Sequence, residues 1–151
     1  MIRFAPATEQ DCRYLAPLLR RLDVEELRLT GEPDPARALR NALALSDGRA
    51  LTAFEDFLPI AMFGITPNYM LGEAIPWMLG TDDVPKHSRE LVKWARPVCQ
   101  KWLEEFPILL NEVWVGNIPA VQFLKHTGFA FAEPRQNEYG AEMALFYMRR
   151  S

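Results

Sequence analysis

Residues 111–129 constrain the fold more than any other stretch of the chain. They read Asn111-Glu112-Val113-Trp114-Val115-Gly116-Asn117-Ile118-Pro119-Ala120-Val121-Gln122-Phe123-Leu124-Lys125-His126-Thr127-Gly128-Phe129. An apolar strand over Val113–Val115 stops at a Gly-Asn pair. A helix follows over Ile118–Thr127, and Gly128 leads into another strand over residues 129–132. Asn117 is placed to cap the helix while the chain turns. Ala120 lets the helix lie close to a sheet, and Gly128 supplies the left-handed residue that ends it. A strand–helix–strand unit of this kind calls for helices layered on a sheet with parallel pairing nearby.

The rest of the chain extends that frame. Ile2–Pro6 reads as a short strand, and Thr8 with Asp11 makes a capping-box start for a helix carrying Leu15, Leu18, Leu19 and Leu22 as its buried stripe. A second helical piece runs from about Asp23 to Leu29. Asp34 before Pro35 starts a third helix, buried through Ala36, Leu39 and Leu43. The period then changes to that of strands. Ala50–Phe54 and Leu58–Ile65 form a hairpin around Glu55-Asp56, and Ala74–Leu79 is a strand interrupted by Pro76. Leu91, Trp94, Ala95, Val98, Trp102 and Phe106 mark one side of a long helix from about Pro85 to Phe106. Met143–Met148 closes the chain as a strand. The class is mixed α/β, a single domain over residues 1–151.

Composition excludes several functions. A formal net charge of −3 over 151 residues disfavours general binding to nucleic acid or an anionic membrane, since phosphate contacts need clustered Lys and Arg. The short clusters Arg20-Arg21 and Arg149-Arg150 read as solvated surface. Cys12 and Cys99 fall in amphipathic patterns and are expected to be buried, reduced thiols. No apolar run reaches the length of a membrane span, and the N-terminus begins directly as a strand, which points to synthesis in the cytoplasm. His87 and His126 have no Cys or carboxylate at ligand spacing, so no metal site is expected.

The order of elements, with Asn117-x-x-Ala120, the Phe123-Leu124 pair and Gly128-Phe129, resembles the GNAT acetyltransferase family. The resemblance implies the GNAT fold, a mixed central sheet with flanking helices. It also implies an acetyl-CoA site, in which the diphosphate rests on the start of the long central helix and the pantetheine arm lies between two splayed strands. Those strands correspond here to Ile75–Leu79, with Trp77, and Glu112–Val115, with Trp114. Carried over to this chain, the cofactor-binding positions are Met78, Leu79, Lys86, His87, Ser88, Asn117 and Phe123. The base would be Glu73, at the start of the strand before the helix. A second resemblance, through Trp77, Thr81-Asp82-x-Val84 and Val113-Trp114-Val115-Gly116-Asn117 with Phe123-Leu124-Lys125, is to internal virion protein A, a small family of short-tailed, T-seven-like phages. It implies a virion interior location after synthesis in the host cytoplasm, with other phage structural proteins or further copies of the chain as partners.

The chain departs from the enzyme pattern where the chemistry is needed. The loop Gly80-Thr81-Asp82-Asp83-Val84-Pro85-Lys86-His87-Ser88 has one glycine in place of a glycine-rich turn. Pro85 removes an N–H, and two aspartates stand where phosphates would lie. A like-charge pair about 4 Å apart costs about 4 kcal/mol at an effective dielectric of about 20. The bland role of Asp82 and Asp83 is to cap the helix, while Lys86 and His87 are the available cations. The position of the usual tyrosine acid is Leu124, with Tyr139 and Tyr147 as distant substitutes. The expectation is a GNAT-like domain with no bound cofactor and a binding role in virion assembly. The alternative is an active acetyl-CoA-dependent N-acetyltransferase using Glu73.

Overall fold

The computed structural model describes all of residues 1–151. In chain order it contains β1 (Ile2–Pro6), α1 (Glu9–Leu15), α2 (Arg21–Leu29), α3 (Pro35–Leu45), β2 (Leu51–Glu55), β3 (Leu58–Asn68), β4 (Glu73–Gly80), α4 (Ser88–Glu105), β5 (Ile108–Trp114), α5 (Ile118–Thr127), β6 (Ala130–Phe131), β7 (Arg135–Gln136) and β8 (Glu142–Arg149). Short 3-10 turns at Ala16–Leu18 and Val84–His87 precede α2 and α4.

Local chemistry accounts for most of these boundaries. The Thr8 hydroxyl accepts from the Asp11 N–H, and the Asp11 carboxylate accepts from that of Thr8, the reciprocal capping box. Asp34 caps α3 with Pro35 in its first turn. Gly128 ends α5 at φ 112°, its N–H reaching the Leu124 and Lys125 carbonyls. The expected first helix is shorter than its leucine spacing suggests. Pro17 falls in a 3-10 turn after Leu15, so Leu18 is thrown out to 47 % exposure while Leu15 and Leu19 stay buried.

The sheet runs β1-β2-β3-β4-β5-β8-β6, with β7 added alongside β8. All pairs are antiparallel except β4–β5. The parallel pairing expected around 74–132 is therefore confined to one junction, because β8 inserts between β5 and β6. Alternation along β4 sends Trp77 and Leu79 to the face covered by α1 and α3, where Cys12, Leu15, Leu39 and Met62 pack. Ala74 and Met78 go to the opposite face, under α4. There Cys99, Leu103 and Phe106 meet Leu109, Val113 and Phe146. Cys12 and Cys99 are free, buried thiols in separate clusters. Burial pushes the Cys99 thiol up to about 12, so it stays protonated.

Candidate functional site

The centre of the sheet is open. β4 and β5 pair only at Glu73↔Ile108 and Ala74↔Leu109 and then part, while β4 keeps its register with β3 and β5 its register with β8. The gap therefore lies between two intact ladders. Successive residues of a strand turn their N–H and C=O to opposite sides. Thr81 N–H bonds the Ile60 carbonyl on the β3 side at 2.8 Å, so Pro76, Met78 and Gly80 face the gap. Val115 N–H bonds Glu142 on the β8 side at 3.0 Å, so Glu112 and Trp114 face it from across.

Most of those groups are already taken. Where the strands first part, Asn111 lays its side-chain amide across the gap. Its Nδ2 donates to the Pro76 carbonyl at 2.8 Å, and its Oδ1 accepts from the Glu112 N–H at 2.7 Å. Pro76 has no N–H to offer. At the far end of β4, Gly80 N–H donates to Asp23 Oδ2 at 2.9 Å and its carbonyl accepts from Arg20 N–H at 2.9 Å. The Trp114 carbonyl accepts from Asn117 N–H at 3.0 Å, and the Trp114 N–H lies near enough to the Glu26 carboxylate to favour its charged form. Met78 alone on this stretch of β4 keeps its gap-facing backbone outside these contacts.

Asp23 and Glu26 both come from α2, and Asn117 ties them together. Its Nδ2 donates to Asp23 Oδ1 at 3.0 Å and to Glu26 Oε1 at 2.9 Å, while Oδ1 is buried without a partner. Asn117 thus does not cap α5, as its position suggests it should. Two charge-assisted bonds to carboxylates outweigh one neutral cap. Asp23 is 3 % exposed and pairs with Arg20 Nε at 3.0 Å, so Arg20 is no solvated surface charge. Burial pushes the Glu26 carboxyl up to about 7. The Asn117 amide works against that rise, the charge of Asp23 adds to it, and the Trp114 N–H and Arg20 again oppose it. Sequence reasoning missed Asp23, Glu26 and Asn111. The signal for the first two was an Asp-x-x-Glu step that shares a helix face with Leu27 and Thr30.

A cavity of about 790 Å³ surrounds the gap, bounded by α2, α4, α5 and β4. Of the positions implied by the family resemblance, Met78, Leu79, Ser88, Asn117 and Phe123 line it, whereas Glu73, Lys86 and His87 do not. Glu73 sits at the paired end of β4, opposite Ile108, on the closed side of the opening. Lys86 Nζ is held by Asp83 Oδ1 at 2.8 Å, and His87 Nε2 pairs with Glu55. Neither aspartate caps α4 in the way expected of them. Asp83 precedes the 3-10 turn without a side-chain capping bond, and it is spent on Lys86. None of the four tyrosines lines the cavity, and Leu124 does. Tyr139 is exposed beside Gly31, and Tyr147 lies on β8 under Arg149.

The entrance loop and the walls of the gap are partly occupied by the chain's own groups. The one glycine of the entrance loop serves packing: a Cβ on Gly80 would meet Val84 Cγ2 at 2.5 Å. Its N–H faces a carboxylate instead of a phosphate. A pantetheine arm needs free backbone groups along β4, and only those of Met78 stand clear. No three His, Cys, Asp or Glu side chains gather as metal ligands, and no helix is long and apolar enough to cross a membrane.

Neither a protein-family model nor a curated protein sequence matches the chain. Solved structures do. An acetyltransferase of the GNAT family from Streptococcus pneumoniae is similar over 100 % of both chains, at TM-score 0.71 and 16 % identity. Spermidine N-acetyltransferase from Vibrio cholerae, in complex with CoA and spermine, is similar over 99 % of this chain and 95 % of its own, at TM-score 0.73 and 16 % identity. A putative acetyltransferase from Salmonella typhimurium with its cofactor acetyl-CoA covers 99 % and 94 %, at TM-score 0.67 and 10 % identity. The chain has the GNAT acetyltransferase fold. The resemblance to the virion protein family finds no counterpart in these matches.

Proposed function

We propose that this GNAT-fold domain works by binding and does not transfer acetyl groups. The observation that carries this reading is the state of the central gap. Asp23, Arg20 and Asn111 engage the gap-facing backbone of Gly80 and Pro76 on either side of Met78, and Asn117 holds Asp23 and Glu26 in the opening. The entrance loop adds Asp82, Asp83 and Pro85 where a diphosphate needs N–H donors. Titration calorimetry with acetyl-CoA tests it directly. No heat of binding at millimolar ligand is the expected result, and a micromolar dissociation constant would reject it.

Under this reading the partners are other phage structural proteins or further copies of the chain, in the host cytoplasm during synthesis and in the particle interior afterwards. The sequence likeness over Trp77–Val84 and Val113–Lys125 is what supports that placement. Peptide mass spectrometry of purified particles checks it, and absence of the chain from them would remove it.

One observation favours the alternative, acetyl transfer to an amine. Glu26, pushed up to about 7 inside the cavity, has the proton affinity a general base needs near neutrality, and Glu73 does not line that space. Amine-dependent release of free thiol from acetyl-CoA, lost in Glu26→Gln, would establish this reading in place of the first.

A further inference from the structure

α2 is built unlike a core helix. Its only buried residue is Asp23. The face it turns to the cavity carries Asp23, Glu26, Leu27 and Thr30, the i, i+3, i+4, i+7 stripe that is apolar in a helix bound for the interior. Val24 and Leu27 are its members that pack on a core cluster. What fastens it to the gap is polar: Asp23 on the Gly80 N–H, Glu26 beside the Trp114 N–H, and Asn117 holding both. Its C-terminal end is tethered: Gly31, at φ 96°, closes the helix, and Asn137 Nδ2 donates to the Leu29 carbonyl at 2.9 Å, so any release of α2 is a turn about that end. An element with so little apolar burial sits at the low end of local stability.

We propose that α2 is an autoinhibitory latch: its two carboxylates stand in for the carbonyl oxygens of a ligand, and its release bares a slot for an extended chain bearing amide groups. This rests on the reading that the closed form has no free cofactor site. With α2 lifted, the N–H groups of Gly80 and Trp114 join Met78 on opposite walls of the gap, spaced as for a strand. Asn111, bonded within the strands, stays in place and sets the floor of the slot.

Each latch amide has a neighbour that serves as its control. Gly80 N–H is bonded to α2 and Thr81 N–H to β3; Trp114 N–H faces Glu26 and Val115 N–H is bonded to β8. Amide hydrogen exchange of the wild-type protein, read residue by residue, is the first measurement. Gly80 and Trp114 are expected to exchange at least about 30-fold faster than Thr81 and Val115 after correction for intrinsic rates, through a local opening. Equal rates within each pair would overturn the latch. The second measurement is affinity of Asp23→Ser/Glu26→Ser for two probes, pantetheine and an acetylated, amidated tri-alanine peptide. A gain of about tenfold or more over wild type for either probe is expected, and the probe that gains tells a pantetheine-type arm from a peptide. A folded double variant with wild-type affinity for both defeats the proposal; should the variant not fold, the exchange ratios decide. Tight acetyl-CoA binding by the wild type would refute the preceding reading alone, leaving the exchange ratios to report on α2.

Discussion

Glu26 ties the pH behaviour of the protein to its central gap. Its folded carboxyl titrates at about 7, against an ordinary value of 4.5. Between those two values the folded chain keeps a proton that the unfolded chain has released. Stability from this group is therefore full below the unfolded value, falls as pH rises, and is lost above about 7, a swing of about 3 kcal/mol. Asp23 and Arg20 face the group and remain in a Glu26→Gln variant, which keeps the acceptor oxygen and drops the titration. Urea unfolding of Glu26→Gln should show stability about 2 kcal/mol above wild type at pH 8.5 and equal to it near pH 4.5. A constant offset at both pH values would mean that the carboxylate is not being penalised by burial. Asn111 makes a second, sharper test. Asn111→Ala strands the Pro76 carbonyl and the Glu112 N–H where the strands part, at a cost of about 2 kcal/mol. A loss below about 0.5 kcal/mol in the same titration would show that water replaces the amide freely.

At the scale of elements, the long helix α4 continues through Pro97 without a break in its assignment as one helix. The ring removes the N–H that would reach the Lys93 carbonyl one turn back, and such a proline costs about 3 kcal/mol in a helix interior. Pro97 is exposed, so no packing contact offsets that cost. Pro97→Ala should raise the unfolding free energy by about 2 kcal/mol once the looser unfolded chain is allowed for, read from chemical denaturation; an unchanged midpoint would mean the helix has already relaxed around the ring. The apolar period of α4 was strong enough to be legible across this proline, and the caps at Thr8, Asp34 and Gly128 placed three other boundaries. Other elements were less legible for physical reasons. The first half of β5 hid behind Asn111 and Glu112, a polar pair in which the Asn111 amide finds its partner, the Pro76 carbonyl, only across the gap. β7 is two residues of exposed chain with no pattern to read. The site itself was half legible. Local sequence shows the missing glycines and the absent tyrosine, but Asp23, Glu26 and Asn117 meet only through contacts spanning 91 residues or more, and no local period reports such a meeting.

For the molecule as a whole, fold and chemistry separate at one place. Two ladders, β1–β4 and β5–β8, are joined by only two parallel residue pairs, and α4 packs across both of them on one face. That is the geometry in which a GNAT-fold enzyme houses its cofactor arm, and here the space between the ladders is spanned by the chain's own side chains. The two conditions predict opposite responses to ligand. A protein that bound acetyl-CoA with a dissociation constant of about 10 μM would gain about 2.7 kcal/mol from 1 mM ligand by mass action alone. For a domain of this size that is a rise of about 5–10 °C in Tm. We expect a shift below about 1 °C in differential scanning calorimetry at 1 mM acetyl-CoA. The same scan on Asp23→Ser/Glu26→Ser with 1 mM pantetheine should show a clear upward shift, because the backbone of Gly80 and Trp114 is then free to bond to the ligand's amides. A large shift for the wild type with acetyl-CoA would mean that α2 yields to the cofactor, and the contacts of Asp23, Glu26 and Asn117 would then be those of an enzyme at rest.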